Sequence, residues 1–245
     1  MKRFLWMLIA FIMMGAASVT MTSCGDDDDP EQTDPSSGED DPVPGGNDTH
    51  EYVDLGLPSG TLWATCNIGA EHPEDYGDYF AWGETTTKST YDWSTYKYYN
   101  GSTSTLTKYN NSSSYGTVDN KTELDPSDDA AYVNWGANWC MPTEAQFTEL
   151  ISSSYTTTAW IIQNGKYGRK ITSKSNGNSI FLPAAGYRGD KSLHCADSYG
   201  DYWSRTLYTS NPNYACHLYF ASSINSDGYT RYSGQSVRPV RASQP

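Results

Sequence analysis

Short runs that alternate apolar and polar residues dominate the chain after residue 50, and turn-forming residues separate them. Alternation with a period of two is typical of strands that bury one face. Asn176–Gly177 lies between two such runs and predicts a tight hairpin turn. Strands are predicted at 78–82, 169–173, 179–182, 201–205, 214–221, 228–232 and 236–241, with a hairpin at 51–66 and a strand or loop at 153–160.

Helical periodicity is confined to two places. Thr143 and Gln146 have the spacing of a capping box, which predicts the start of a helix. A shorter helix is predicted after Asp125, with Pro126 in its first position. The apolar stripe of the helix that starts at Thr143 consists of Phe147, Leu150 and Ile151.

Residues 84–124 follow neither period and contain seven aromatic residues among Ser, Thr, Asn and Gly. A segment this long without periodicity is typically functional or disordered, and Tyr mixed with Ser, Gly and Asn is typical of adaptable binding loops. Two interpretations stay open: a binding loop, or a poorly ordered insertion whose aromatic residues pack locally. For a binding loop, the candidate ligand-binding residues are Trp93, Tyr96, Tyr98 and Tyr99.

The first 23 residues have the pattern of a secretory signal, because Lys2 and Arg3 precede an uncharged apolar run. That run is shorter than the ~20 residues that cross a bilayer. Residues 21–24 resemble the bacterial lipoprotein box, in which a small residue precedes the cysteine that receives the lipid. The resemblance implies that Cys24 is lipidated and becomes the first residue of the mature protein. The alternative is a soluble secreted protein with an incidental cysteine.

Residues 25–48 contain eight Asp and two Glu but neither Lys nor Arg. This composition buries too little apolar surface to fold, so residues 24–49 are predicted to form a disordered tether. The acidic run directly after Cys24 also resembles the export signal of surface lipoproteins in Bacteroidota. That resemblance implies a lipid anchor in the bacterial outer membrane and exposure on the cell surface. A solvated spacer is the plainer interpretation, and the two are compatible.

Charge limits the possible partners. The net charge is −13, of which about −5 remains after the tether and the signal are set aside. Nucleic acid is therefore excluded as a partner, because its binding needs a basic face. The acidity itself names no ligand.

Catalytic and metal-binding patterns are absent from the sequence, so no catalytic residue, metal or cofactor is predicted. Four histidines are scattered without an HExxH motif or a nucleophile elbow. Four acidic residues between 71 and 78 lack the spacing of a calcium loop and predict a solvated turn. The histidines are His50, His72, His194 and His217, and the acidic residues are Glu71, Glu74, Asp75 and Asp78.

Four cysteines follow Cys24 along the chain. An exported protein with an even number of cysteines predicts two disulfides, for which three connectivities exist. We favour the pairs Cys66–Cys140 and Cys195–Cys216.

Six motifs occur in order over residues 51–241: YVDLGLPSGTLWATCNIGA, PEDYGDYFAWGE, WCMPTEAQFTELI, NSIFLPAAGYR, YWSRT and GQSVRPVR. Together they resemble the Fibrobacter succinogenes major paralogous domain family, which is similar to the sulfatase-modifying and C-type-lectin-like group. The resemblance implies one α+β domain over residues 50–243. It would have a small twisted antiparallel β core, two short helices and long irregular loops. Trp82, Arg188 and Trp203 lie inside the motifs and are expected to be structural.

The lipid anchor, the tether and an aromatic-rich domain predict a non-enzymatic, surface-displayed module that binds a glycan or a protein. The alternative is a structural or tip subunit of a surface fibre or complex, because related folds form adhesive tips. A remote alternative is a copper-dependent oxidase of the formylglycine-generating type, which shares the fold group. Such an oxidase needs two nearby cysteines, and Cys216 has none within five residues.

Overall fold

Antiparallel strand pairing organises residues 49–242, the part of the chain that this computed structural model describes. Strands predominate and two helices accompany them, which confirms the α+β class. The predicted signal peptide, the lipidated Cys24 and nearly all of the tether lie outside the described residues. The strands are β1 Tyr52–Asp54, β2 Thr61–Ala64, β3 Thr156–Gln163, β4 Lys166–Ser173, β5 Ser179–Pro183, β6 Tyr187–Gly189, β7 Ser192–His194, β8 Gly200–Leu207, β9 Tyr214–Phe220, β10 Ile224–Thr230 and β11 Val240–Ala242, and the helices are α1 Ala130–Trp135 and α2 Glu144–Leu150.

The strands form small open sheets in the orders β1-β2-β11, β3-β4-β5 and β10-β9-β8, with β6 and β7 as a separate hairpin. β11, near the end of the chain, pairs with β2, near the start of the described part, and Val240 lies opposite Trp63. None of the helices between residues 49 and 242 is long and apolar enough to cross a membrane.

Local turn signals predicted the hairpins correctly. β1 pairs with β2, and β4 pairs with β5 across the turn that contains Gly177, whose φ is +76°. The run at 78–82 forms only a single bridge, between Phe80 and Gln235. Gly77 and Gly83 flank this run with positive φ angles, so the extended conformation ends on both sides.

Helix α2 begins as predicted. The Thr143 hydroxyl accepts a hydrogen bond from the Gln146 backbone amide, and the Gln146 side-chain oxygen accepts one from the Thr143 backbone amide. Phe147 and Leu150 are fully buried, and the helix packs against β8, β9 and β10. The capping box therefore fixes where the helix starts, and its apolar stripe fixes which face it buries.

The helix predicted after Asp125 starts later than the sequence suggested. Residues 126–128 form a 3₁₀ turn, and α1 begins only after Asp129, whose carboxylate accepts from the amides of Ala131 and Tyr132 at 2.9 and 3.1 Å. The predicted cap, Asp125, makes no capping bond, because its carboxylate pairs with Lys108 and Lys121. The N-cap at Asp125 was therefore wrong.

Part of the segment 84–124 packs into the core. Arg231 is fully buried and makes four hydrogen bonds, three of them to residues of the segment. It donates to the Tyr96 hydroxyl at 2.8 Å and to the carbonyls of Lys108, Tyr109 and Pro212 at 3.0, 3.1 and 2.9 Å. The buried aromatic residues of the segment are Tyr91, Tyr96, Tyr98 and Tyr109.

Trp82 and Trp203 are fully buried, in agreement with the structural role expected from their motifs. The Trp82 indole donates to the Ser204 carbonyl at 2.8 Å, and the Trp203 indole donates to the Phe80 carbonyl at 2.9 Å. Arg188 lies over the Tyr79 ring, 5.2 Å from its centroid. The motifs PEDYGDYFAWGE and YWSRT, which contain Trp82 and Trp203, are thus joined by hydrogen bonds from both indoles.

The predicted disulfides are not formed, since Cys66, Cys140, Cys195 and Cys216 are free thiols. Cys216 faces α2 and contacts the Leu207 carbonyl at 3.7 Å, whereas Cys195 lies on the other side of the β8–β10 sheet beside His217. Alternation along β9 puts Cys216 and His217 on opposite faces. The sheet therefore separates the members of the second predicted pair.

Candidate functional site

The β10-β9-β8 sheet has two chemically different faces. Tyr202, Leu218 and Phe220 alternate onto the face that packs into the core. The register places Asp201 opposite Tyr219 and His217 opposite Asp227, so these residues share the other face. The residues of this face that line a cleft are Asp201, His217, Tyr219, Asn225, Asp227 and Tyr229.

The β6–β7 hairpin and the turn that follows it form the opposite wall. They contribute Tyr187, Cys195 and Tyr199, and the enclosed cleft has a volume of about 390 Å³. A bridge between Gly186 and Gly200 holds the hairpin beside β8. Gly186 has φ +62°, and a Cβ there would lie 2.0 Å from the His194 carbonyl oxygen. Only glycine allows this close approach.

Tyrosine rings line both walls of the cleft. Tyr187 meets Tyr229 edge to face at 5.5 Å, and Tyr199 meets Tyr219 in the same way at 5.4 Å. The Tyr229 ring also lies 5.2 Å from the His217 ring. Edge-to-face contacts are a favoured geometry for aromatic rings, so these pairs stabilise one another along the cleft.

Asp201 lies at the floor of the cleft and is 2% exposed. Its Oδ1 is 3.6 Å from His217 Nδ1, and its Oδ2 has no hydrogen-bond partner among residues 49–242. Burial raises the pKa of Asp201 to about 7. A buried polar atom without a partner is uncommon and costly. Oδ2 is therefore a buried acceptor without a donor in a side chain that lines the cleft.

His217 is also buried, and its Nδ1 lies 3.2 Å from Gln235 Oε1. Burial lowers the pKa of His217 to about 4, so the imidazole is neutral at pH 7. The contact with Gln235 assigns the proton to Nδ1, which then donates to the amide oxygen. When Asp201 is ionised, which it is for the most part only above pH 7, the neutral histidine provides no counter-charge.

The cleft supplies binding groups rather than an assembled nucleophile. Cys195 lines the same cleft as His217, but no hydrogen bond joins the two within the described residues, and a thiol nucleophile needs contact with its base. Among residues 49–242, no group of three or more His, Cys, Asp or Glu is placed to hold a metal ion.

The ligand-binding residues predicted from the sequence divide into two pairs. Tyr96 and Tyr98 are 3% and 5% exposed and belong to the core, where their hydroxyls donate to the carbonyls of Trp82 and Gly83 at 2.8 and 3.4 Å. Trp93 and Tyr99 are half-buried and stack at 5.6 Å, and Tyr232 meets Trp93 at 5.1 Å. A small aromatic surface therefore remains at Trp93, outside the set of residues that lines the cleft.

The acidic turn is occupied by local contacts. Glu74 accepts from the side-chain amides of Gln163 and Asn164 at 3.3 and 2.6 Å. Asp75 accepts from the His72 amide at 3.0 Å. These bonds engage one or both carboxylate oxygens of Glu74 and Asp75 within the turn and with the β3–β4 hairpin.

Sequence reasoning missed every residue that lines the cleft except Cys195, which it took for a disulfide. One signal was present: Tyr199–Gly200–Asp201 repeats the sequence of Tyr76–Gly77–Asp78, and both its tyrosine and its aspartate line the cleft. Alternation in β9 also predicts that His217 and Tyr219 share a face. Neither pattern reveals that β6 and β10 meet at this face.

A scan against protein-family models and searches of curated proteins and solved structures found no match to this chain. The resemblance to the Fibrobacter succinogenes major paralogous domain family therefore stays a prediction that rests on the six motifs. The functional argument rests on the cleft.

Proposed function

We propose that this protein is a non-enzymatic binding module whose ligand, a group on a glycan or a protein, enters the cleft between β8–β10 and the β6–β7 hairpin. The observation that supports it most is a buried carboxylate with an unpartnered oxygen, Asp201 Oδ2, at the floor of a tyrosine-lined cleft. Concave sites with apolar walls and a few convergent polar groups are the usual form of binding sites.

The setting proposed for this module is the outer surface of a bacterial outer membrane. Lipid on Cys24 would hold the chain there, and residues 24–49 would separate the domain from the bilayer. We infer a C-type-lectin-like arrangement as the finer description of the α+β fold. The six motifs support it, and two helices with open antiparallel sheets are compatible with it.

The test compares retention of ligands by immobilised wild-type and variant proteins. The double variant Tyr199→Leu/Tyr219→Leu removes two cleft rings, and Tyr155→Leu removes an exposed ring outside the cleft as the matched control. Glycan arrays and extracts of host and bacterial surfaces supply the ligands. We expect the control to bind like the wild type and the double variant to lose about tenfold or more in affinity.

Two other outcomes would show that the ligand does not bind in the cleft. Equal retention by the double variant, at an unchanged melting temperature, overturns the cleft as the binding site. Loss of retention in Trp93→Leu/Tyr99→Leu instead would place binding on the segment 84–124. Those two rings are the members of the sequence-based set that a ligand can reach.

A second candidate function, a subunit of a surface fibre or complex, is favoured by strand β3. β3 is an edge strand, paired only with β4 in the described part of the chain. Trp160 and Ile162 of β3 and Tyr167 of β4 are exposed on one face. A long uncharged edge strand is a template for strand addition, and the partner proposed is β3 of a second copy.

Sedimentation at increasing protein concentration tests this second candidate. Self-association that Ile162→Lys abolishes supports it, because a charge on the apolar face opposes edge pairing. Val118→Lys adds the same charge at an exposed site away from β3 and serves as the control. A wild-type protein that stays monomeric at every concentration rules the candidate out.

A further inference from the structure

Charge in the cleft has one sign. Two carboxylates, Asp201 and Asp227, are among the residues that line it, and those residues include neither Lys nor Arg. Arg188 is adjacent to Tyr187 in β6, and alternation turns it to the other face, where it lies over the Tyr79 ring. His217 is neutral, so the residues lining the cleft offer no positive charge to Asp201.

The floor and the walls favour the same kind of ligand. A neutral hydroxyl would give Asp201 Oδ2 one hydrogen bond but would leave the ionised carboxylate, which predominates above pH 7, without a counter-charge. An ammonium group would provide both the donor and the charge. Aromatic faces also attract cations, by about 0.5–2 kcal/mol for a ring that lies close to the charge. The tyrosines that line the cleft are Tyr187, Tyr199, Tyr219 and Tyr229.

We infer that the cleft selects a ligand that carries an ammonium group, which binds against Asp201 with tyrosine rings around it. This inference rests on the proposed function and names the chemistry of the ligand. Two sources carry such a group: a lysine side chain of a protein, and an amino sugar of a glycan. The volume of about 390 Å³ is within the ordinary range of roughly 300–1,000 Å³ for small-molecule sites, so both sources fit.

Calorimetric titration of the purified protein with matched probes tests the inference. The charged probes are Nα-acetyl-lysine N-methylamide and glucosamine. Their neutral counterparts, the Nε-acetylated lysine derivative and N-acetylglucosamine, differ by acetylation of the nitrogen that carries the charge. Each probe is titrated into the wild type, into Asp201→Asn and into Glu51→Gln, which neutralises an exposed carboxylate outside the cleft.

The expected result is binding of at least one charged probe and a much weaker response to its acetylated counterpart. Asp201→Asn keeps the side-chain shape but removes the charge, so the affinity of the charged probe falls about 30-fold or more. Glu51→Gln leaves the affinity unchanged. Preference for the lysine probe indicates a protein ligand, and preference for glucosamine indicates a glycan.

Three results overturn the inference. They are equal binding of charged and acetylated probes, unchanged affinity in Asp201→Asn, and no binding of either charged probe at millimolar concentration. None of them decides the proposed function, because a neutral ligand in the same cleft would still be lost in Tyr199→Leu/Tyr219→Leu. If retention on surface extracts and glycan arrays also survives that double variant, both proposals fail.

Discussion

Asp201 Oδ1 lies 3.6 Å from His217 Nδ1, yet the two side chains do not form an ion pair at neutral pH. Burial raises the pKa of the Asp201 carboxyl to about 7 and lowers the pKa of the His217 imidazole to about 4. Both groups are buried at the floor of a cleft, where an apolar pair would cost less. Perturbed groups placed in a cleft are typical of functional sites, and this contact is the main reason for placing the binding site there.

Asp201 and His217 should change the stability of the protein with pH in opposite directions. The pKa of Asp201 in the folded state lies above its ordinary value of 3.8, so its contribution to the free energy of unfolding is lost as the pH rises from about 4 to about 7. The pKa of His217 in the folded state lies below 6.5, so its contribution is lost as the pH falls from 6.5 to about 4. The two slopes oppose each other in the wild type.

Single substitutions should expose each slope. In Asp201→Asn only the pH-dependent contribution of His217 remains, so the free energy of unfolding should rise with pH between about 4 and 6.5. In His217→Gln only the contribution of Asp201 remains, so the free energy of unfolding should fall as the pH rises over the same interval. At pH 8 Asp201→Asn should be more stable than the wild type, at about 1.4 kcal/mol per unit of pKa shift relieved. Urea unfolding measures both effects, and variants whose pH profiles run parallel to the wild type would contradict the account.

Arg231 should hold the segment 84–124 in the core. Its guanidinium makes four hydrogen bonds to groups of Tyr96, Lys108, Tyr109 and Pro212. Arg231→Met would leave those acceptors buried without donors, at a cost of about 3 kcal/mol or more. Chemical unfolding measures the loss, and limited proteolysis should then cleave within residues 84–124.

Arg205→Met is the matched control for this prediction. Arg205 pairs with the exposed Glu123 at 2.6 Å, and such surface pairs contribute about 1 kcal/mol or less. A similar loss of stability in the two variants would show that Arg231 does not hold the segment in place.

The four free cysteines should differ in reactivity. Cys195 is exposed and should react first with a thiol reagent. Cys216 is 2% exposed, and burial raises the pKa of its thiol to about 12, so it should react only after unfolding. Cys195→Ser should remove the fast phase. Unfolding without a reductant should release four thiols from this part of the chain, and a result of two or none would restore the disulfides predicted from the sequence.

Local features of the fold were predictable because their signals lie within a few residues of each other. The capping box at Thr143 and the turn at Gly177 each need only neighbouring residues, and both were predicted correctly. Asp125 shows the limit of such signals. It has the composition of a cap, but its carboxylate pairs with Lys108, which the sequence places 17 positions away.

The cleft could not be predicted from the sequence for a different reason. Alternation predicts which face of a strand a residue takes, but the neighbours of that face depend on register between distant strands. Tyr187 meets Tyr229 across 42 positions of sequence. Likewise, the composition of the segment 84–124 resembles that of a binding loop. It does not reveal that Tyr96 is buried and that its hydroxyl accepts a hydrogen bond from Arg231.

Mapping the ligand onto tyrosine rings tests the central claim most directly. The protein is prepared with ¹³C-labelled tyrosine rings and titrated with the ligand that the wild type retains, and the signals are assigned by single Tyr→Phe variants. The account predicts shifts at the rings of Tyr187, Tyr199, Tyr219 and Tyr229, with no change at the exposed ring of Tyr155. Shifts confined to Tyr99 and Tyr232, with those four unmoved, would contradict it.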